Sequence, residues 1–461
     1  MTTVDVAVVG GGIVGCAVAR ELSGRRLTVA LLEARGDIGD VTSKANTAIL
    51  HTGFDAAPGT LESRLVRRGY DLLWAYAGPA GIPVERVGAV LVAWDDEQLA
   101  ALPRLRAKAV ANGYEHGALI DAADVYRRLP QLGAGALGGL VIPDESIVCS
   151  WTSALAFATE AVHRGASLLL RHRVTAIEAG TNTTVLRTDR GDVTARWVVN
   201  AAGLGADILD RLLGHDRFTV VPRRGELIVF DKLARPLVDH IVLPVPTARG
   251  KGVLVSPTIY GNVMLGPTSQ NIADRTDTAT TGTGLEFLLA TGRALMPRLL
   301  DEEVTATYAG LRAATEHDDY VVDVDPAQRY VLLGGIRSTG LTASMALAEH
   351  VVELLAEQGV DVSRRDDLPP VPRMPNVGEA FLRPFADAER IAADPEYGRL
   401  VCFCERVSRG EVRDALTSTI PPGDLDGLRR RTRVLMGRCQ GFYCGAEVSR
   451  LLGAAAAAEG G

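Results

Sequence analysis

The segment from Met1 to Glu33 constrains this chain more than any other stretch. Residues 4–9 (Val-Asp-Val-Ala-Val-Val) run into Gly10-x-Gly12-x-x-Gly15. A second run, residues 27–32 (Leu-Thr-Val-Ala-Leu-Leu), is closed by Glu33. Apolar runs without strict alternation suit parallel strands buried on both faces, and the stretch through about Ser23 suits the crossover helix of a β-α-β unit. Glycines are needed at such a turn because the backbone must reverse tightly and approach a pyrophosphate, which is then met by the N–H groups and positive end of the helix. An acid at the end of the second strand accepts hydrogen bonds from a ribose diol and repels a 2′-phosphate, which argues against NADP. The motif places a dinucleotide here but does not choose between FAD and NAD.

Composition narrows the setting. At 461 residues the chain is long enough for two to four domains, and 47% apolar with 23% charged residues is the balance of a soluble globular protein. A net charge of −7 does not favour a nucleic-acid partner. The apolar run from Val6 to Ala19 is broken by Gly10, Gly11, Gly12 and Gly15 and lacks a basic start, so neither a membrane helix nor a signal peptide is expected. A cytoplasmic location follows as the expectation, with peripheral contact to a membrane left open.

Along the chain, helices are expected around 61–77, 95–113, 122–129, 151–164 and 341–358. Strands are expected at 84–94, 168–177, 183–188, 196–200, 304–311 and 330–334. Apolar runs between Pro and Gly over 218–270 suit an antiparallel sheet. Pro369, Pro370, Pro372 and Pro375 mark a linker over 363–375, followed by a small separate domain over 376–453 and an Ala/Gly-rich, frayed tail over 454–461.

Two later segments decide the cofactor. Trp197-Val-Val-Asn-Ala-Ala202-Gly203 is a strand running into a small-residue turn. Leu332-Leu-Gly-Gly335-Ile-Arg337-Ser338-Thr339-Gly340-Leu341 is a strand, a turn and a helix start. Together with the N-terminal unit they resemble the FAD-contacting segments of the D-amino-acid-oxidase-like flavoprotein superfamily, over roughly residues 3–358. The resemblance implies FAD, held by Gly10, Gly12, Gly15, Glu33, Val174, Ala202, Gly203 and the 335–341 turn. The start of the helix at 338–342 would face the anionic edge of reduced flavin. It implies an α/β architecture: a Rossmann-like FAD-binding domain (about 3–83, 151–215 and 321–362) with an inserted antiparallel-sheet substrate domain (about 84–150 and 216–320).

Ser43-Lys-Ala-Asn46-Thr47-Ala-Ile-Leu-His51-Thr-Gly53 resembles the flavin-lining segment of the glycerol-3-phosphate dehydrogenase and L-2-hydroxyglutarate oxidase branch. Small polar residues there (Ser43, Asn46, Thr47) would serve phosphate and ring atoms, and His51 would face flavin and substrate. Imidazole titrates near neutrality and suits the removal of a hydroxyl proton; in this branch the matching histidine is also linked to flavin attachment or positioning. Gly310-Leu-Arg312-Ala resembles the branch's Gly-x-Arg-[PA] segment, whose arginine is expected beside the substrate anion. Arg337 is a second candidate for that role, and Lys251 and Tyr260 lie in the expected substrate-domain sheet.

Four of the six cysteines, Cys402, Cys404, Cys439 and Cys444, cluster near the C-terminal end as two close pairs well separated from each other. Two close pairs on separate loops suit a [2Fe–2S] cluster or a structural zinc, and spacing alone does not choose. The surrounding Val401-Cys-Phe-Cys-Glu405 and Met436-Gly-Arg-Cys-Gln-Gly-Phe-Tyr-Cys444 resemble the bacterioferritin-associated-ferredoxin-like [2Fe–2S] domain fused to large subunits of anaerobic-type glycerol-3-phosphate dehydrogenases, although this chain is shorter than those subunits.

The resulting expectation is a FAD-dependent dehydrogenase of a small anionic secondary alcohol, sn-glycerol 3-phosphate first. Its electrons would pass through the cluster to a quinone or an electron-carrier protein. An L-2-hydroxy acid and an amino or imino acid are the alternative substrates. A non-catalytic electron-transfer or sensing module would not need the long middle segment of about 84–320.

Overall fold

The computed structural model describes residues 2–246 and 252–459; Lys251 lies outside the described residues. The strand Thr2–Val9 is central. It pairs in parallel with Val29–Glu33 on one side and Val193–Asn200 on the other, and Ser167–Leu170 and Tyr330–Gly334 extend the parallel sheet outward. Its side chains alternate between two cores, Val6 and Val8 on one face and Val4, Ala7 and Val9 on the other, which is why the run shows no polar period. Helices Ile13–Ser23, Ser150–His163, Gly340–Glu357 and Leu61–Ala80 pack against one another over one of these cores.

A second sheet of nine strands is built from two separate stretches of chain. The first supplies Ala89–Ala93, Ala118–Asp121 and Gly138–Ile142; the second supplies six strands from Val221–Phe230 through Val304–Ala314. Neighbours are antiparallel except where the two stretches meet, Ile241–Pro244 running parallel to Ala89–Ala93. A small third sheet pairs Ile49–Leu50 and Val84–Arg86 with Ser146–Val148. It matters for the site because the register Leu50↔Ser146 brings residue 51 beside residue 145.

Two expected strands are each broken in two. The 84–94 run divides between two sheets at Gly88, whose φ is +67°. The 168–177 run breaks at Arg171, with φ +58°. The helix Gly282–Leu295 was not expected, because three glycines lower its intrinsic propensity; it forms by packing Leu288 and Leu295 into the second core.

Residues 363–375 have no regular structure but are laid against the first unit: Arg365 N donates to Gly24 O at 3.0 Å and Met374 N to Ala80 O at 2.8 Å. The last segment folds as the hairpin Leu400–Cys402 and Val407–Ser408 with helices Arg409–Leu416, Leu425–Thr432 and Gly445–Glu459 around Val407, Val412, Leu428, Val434 and Val448. The expected frayed tail is corrected as far as residue 459: its alanines, the strongest helix formers, continue the last helix. No helix among the described residues is long and apolar enough to cross a membrane.

The glycine turn is tight enough to test. A Cβ at Gly15 would lie 1.8 Å from the Gly10 carbonyl oxygen, with backbone rather than a flexible side chain in the way. Gly15→Ala is expected to cost about 3 kcal/mol or more. Thermal unfolding and flavin absorbance of the purified variant measure this.

Candidate active site and cluster loops

The cradle for the dinucleotide is formed where three chain segments meet. Gly10 has φ +113°, and a Cβ there would sit 2.4 Å from Ala201 O, so the first and second FAD segments touch backbone to backbone. Gly12 begins the helix Ile13–Ser23 without a capping side chain, and Ile13 N donates to Ser43 Oγ at 2.9 Å. The Glu33 carboxylate accepts from Gly11 N and Arg35 N, both at 2.7 Å. Burial raises its pKa above the ordinary 4.5 despite those two donors. Each carboxylate oxygen retains acceptor capacity for a ribose hydroxyl. Val174 begins its strand two residues past His172, whose N donates to Glu33 O at 2.8 Å. Ala202 N donates to Asn200 Oδ1, and Gly203 follows with φ +57°. A turn closed to side chains at Gly10 and Gly15, at the start of a helix, fits FAD.

The flavin-lining segment is held by its own side chains. Asn46 donates from Nδ2 to Ser43 O and accepts at Oδ1 from Ala48 N, both at 2.8 Å, while Thr47 is half-buried beside it. Strand Val304–Ala314 runs against this segment: Thr42 Oγ1 donates to Leu311 O, Tyr308 OH donates to Asn46 O, and Gly310 leaves room for the Ala45 carbonyl. Arg312 therefore lies on the strand that packs along the flavin segment. Its Nη2 donates to Thr268 O at 3.1 Å, and among the described residues no carboxylate comes within ion-pairing distance. Burial, with Arg223 alongside, pushes its pKa down to about 10, so it stays cationic at neutral pH.

His51 is half-buried, its backbone N bonded to Thr342 Oγ1 at 3.0 Å and its Nδ1 lying 3.1 Å from Glu145 Oε2. Glu145 is fully buried and also accepts from Thr52 N at 2.7 Å and Thr52 Oγ1 at 2.8 Å. Sequence reasoning passed over Glu145. No local signal marks it; only the strand register brings it to His51.

At the third segment Gly335 turns with φ +62° and leads to the helix Gly340–Glu357; Leu341 is buried and Ser338 exposed. Arg337 and Thr339 both bond Glu62, Arg337 Nη2 at 2.9 Å and Thr339 Oγ1 at 2.6 Å. Arg337 is thus paired with a carboxylate, whereas Arg312 bonds a carbonyl. Tyr260 is buried, its ring stacked on Trp151 at 4.7 Å, with the Arg433 guanidinium 4.3 Å from its centroid. It joins the first unit to the last.

The four C-terminal thiols influence one another electrostatically, Cys402 with Cys444, and Cys404 with Cys439 and Cys402. Burial pushes Cys402 up to about 11, and the N–H groups of Glu405 and Leu435 act against that rise. The N–H groups of Tyr443, Gly441 and Phe442 converge on Cys439 and hold it below its ordinary value. To aim these donors inward the loops adopt left-handed backbone at Arg406, Arg433, Leu435 and Gln440, with φ of +52°, +73°, +66° and +48°. Such conformations cost about 1–2 kcal/mol each and persist where surrounding structure enforces them. Among the described residues no three ligating side chains converge on a single ion.

Residues 5–354 match the FAD dependent oxidoreductase family and residues 400–454 the BFD-like [2Fe-2S] binding domain. The chain belongs to the FAD dependent oxidoreductase family, and its cofactors are FAD and a [2Fe–2S] cluster. It is 33% identical over 451 residues to a glycerol 3-phosphate dehydrogenase of Caloramator mitchellensis, covering 97% of this chain and 93% of that one. Dithionite-reduced L-alpha-glycerophosphate oxidase from Mycoplasma pneumoniae with FAD bound superposes with a TM-score of 0.77 at 27% identity, over 82% of this chain and 100% of that one. The mitochondrial L-2-hydroxyglutarate dehydrogenase of Arabidopsis thaliana is 27% identical over 400 residues, 76% of this chain and 82% of that protein.

Two outcomes are expected. Because Glu33 is held above 4.5, FAD affinity falls on acidification through that raised pKa, whereas Glu33→Gln binds FAD more weakly with no such pH dependence; FAD fluorescence on release reads both. Cys404→Ser and Cys439→Ser are expected to lose cluster absorbance and iron while retaining flavin.

Proposed function

We propose that this chain is a dehydrogenase that oxidises sn-glycerol 3-phosphate to dihydroxyacetone phosphate and sends the electrons through its cluster to a quinone or an electron-carrier protein. The observation that carries the reading is Arg312, a half-buried cation on the flavin-side strand with no carboxylate partner among the described residues. Similarity to the Caloramator dehydrogenase over nearly the whole chain, both cofactor regions included, supports it.

Bound FAD supplies the hydride acceptor and the cluster a one-electron carrier. The residues supply the rest. Arg312 holds the phosphate with a charge-assisted, fork-shaped contact. His51 takes the proton shed by the C2 hydroxyl, and the resulting imidazolium is stabilised by Glu145 across the 3.1 Å Nδ1···Oε2 contact. Thr52, bonded to the other Glu145 oxygen, keeps that carboxylate aimed. The strands at 89–142 and 221–314 would form the wall of the substrate domain. A quinone acceptor requires peripheral contact with a membrane; a carrier protein does not.

A second substrate reading, an L-2-hydroxy acid, is favoured by the Arabidopsis relative and by the equal fit of guanidinium to carboxylate. An anaerobic absorbance titration decides. Glycerol 3-phosphate is expected to bleach the flavin band and then reduce the cluster; bleaching by 2-hydroxyglutarate alone would overturn the first choice.

His51→Asn is expected to slow flavin reduction by about 10²–10⁴-fold. Glu145→Gln should lower kcat with little change in KM. Arg312→Ala should lower kcat/KM by about 10²-fold or more, as for a lost charge-assisted contact. Stopped-flow reduction measures all three. Peroxide formation as fast as turnover with an added one-electron acceptor would exclude the dehydrogenase assignment.

A further inference from the structure

The loop over residues 37–44 is the outer wall of the flavin cradle. Gly39 N donates to Gly11 O at 2.8 Å and Ser43 Oγ accepts from Ile13 N, so the shape of this loop sets the opening of the glycine turn. Its own regular structure is one short turn, Thr42–Lys44. Its strongest bonds come from the last domain. Asp37 is 1% exposed and takes both arms of Arg431, Nη1 at 2.7 Å and Nη2 at 2.8 Å, together with Nη2 of Arg430 at 2.7 Å. Arg430 Nη1 reaches Asp40 at 2.9 Å and Asp426 at 2.7 Å, and Lys44 Nζ bridges the same two carboxylates at 2.9 and 2.6 Å. Arg35 and Arg429 add looser pairs to Asp40 and Asp426, at 3.5 and 3.7 Å. Both arginines also line a narrow cavity with Ile38, Gly39, Ser43 and Trp151, directly behind the cradle.

We propose that Arg430 and Arg431, carried by the iron–sulfur domain, are positioning residues for FAD. They hold the 37–44 loop in the shape that keeps the glycine turn open to the pyrophosphate, so retention of the flavin depends on docking of the other domain. The buried geometry makes this more than surface pairing. Removing Arg431 takes two guanidinium donors from the desolvated Asp37 and removing Arg430 takes one, and the loop must move to rehydrate it. Helix Leu425–Thr432, which bears both arginines, ends at Arg433; Val434 and Leu435 follow it into the apolar cluster that holds Cys402 and Cys444. The element that grips the flavin loop is therefore continuous with a cluster loop.

The inference rests on FAD binding and not on the choice of substrate, so its test uses none. Full-length, cofactor-loaded Arg430→Ala, Arg431→Ala and Arg431→Lys are compared with the parent. Release of FAD after dilution is followed by fluorescence, and cluster absorbance reports that the last domain is intact. Arg413→Ala, which breaks a surface pair with Asp394, is the control. The expected result is at least tenfold faster release in both alanine variants, partial recovery in Arg431→Lys and no change in Arg413→Ala. If Arg431→Ala does not fold, Lys44→Met opens the exposed side of the same network and should speed release at least threefold. Release within twofold of the parent, cluster absorbance intact, overturns the proposal.

Discussion

The contact on which the flavin site depends is that of Gly10 with the Ala201 carbonyl. Val9 pairs with Asn200 in parallel register, so the two strands end together and their exit turns collide unless one lacks a side chain. Glycine at position 10 resolves the collision at φ +113°, and from that turn the helix start, the Glu33 carboxylate and the 200–203 turn all take their places. The same packing explains why the N-terminal run is apolar throughout: it feeds two cores at once.

Around that frame, charge is distributed unevenly. Glu62 is neutralised by Arg337, Glu405 by Arg433 and Lys232, and Asp37 by two arginines, while Glu145 is met by Thr52 and the His51 ring. Arg312 stands apart, a desolvated cation that an anion would complete. Desolvation that makes a lone charge costly in the free protein would strengthen its pairing with any anion that reached it. Glu145 illustrates the complementary case: being buried and doubly held by Thr52, it offers His51 a fixed direction.

Much of this was legible in the residues. The glycine spacing with its acid, the 43–53 segment and the cysteine pairs each combine local backbone demands with side-chain chemistry, and such signals survive in one dimension. Cysteine spacing alone did not choose between zinc and iron–sulfur; the family match does. Glu145 was not legible, because its meaning comes from pairing with His51 and Thr52, far away along the chain, and strand register is set by packing rather than by neighbours in sequence. Arg337 and Arg312 looked alike as arginines; Glu62, on the helix Leu61–Ala80, separates them by pairing with Arg337. The helix Gly282–Leu295 was hidden for the opposite reason, since tertiary packing overrides poor local propensity.

The Trp151–Tyr260–Arg433 stack has a consequence for how electrons travel. The Arg433 guanidinium is buried against the Tyr260 ring and clasped by Glu405, the residue after Cys404. Parting the same interface would also separate Asp37 from Arg430 and Arg431, leaving buried charge unpaired on each side at a cost of about 3–5 kcal/mol. The redox centres are then fellow passengers on one rigid body, not parts of a swinging arm. Solvent viscosity, which brakes shuttling domains, leaves such an internal hop untouched and slows only the encounter with the outside acceptor.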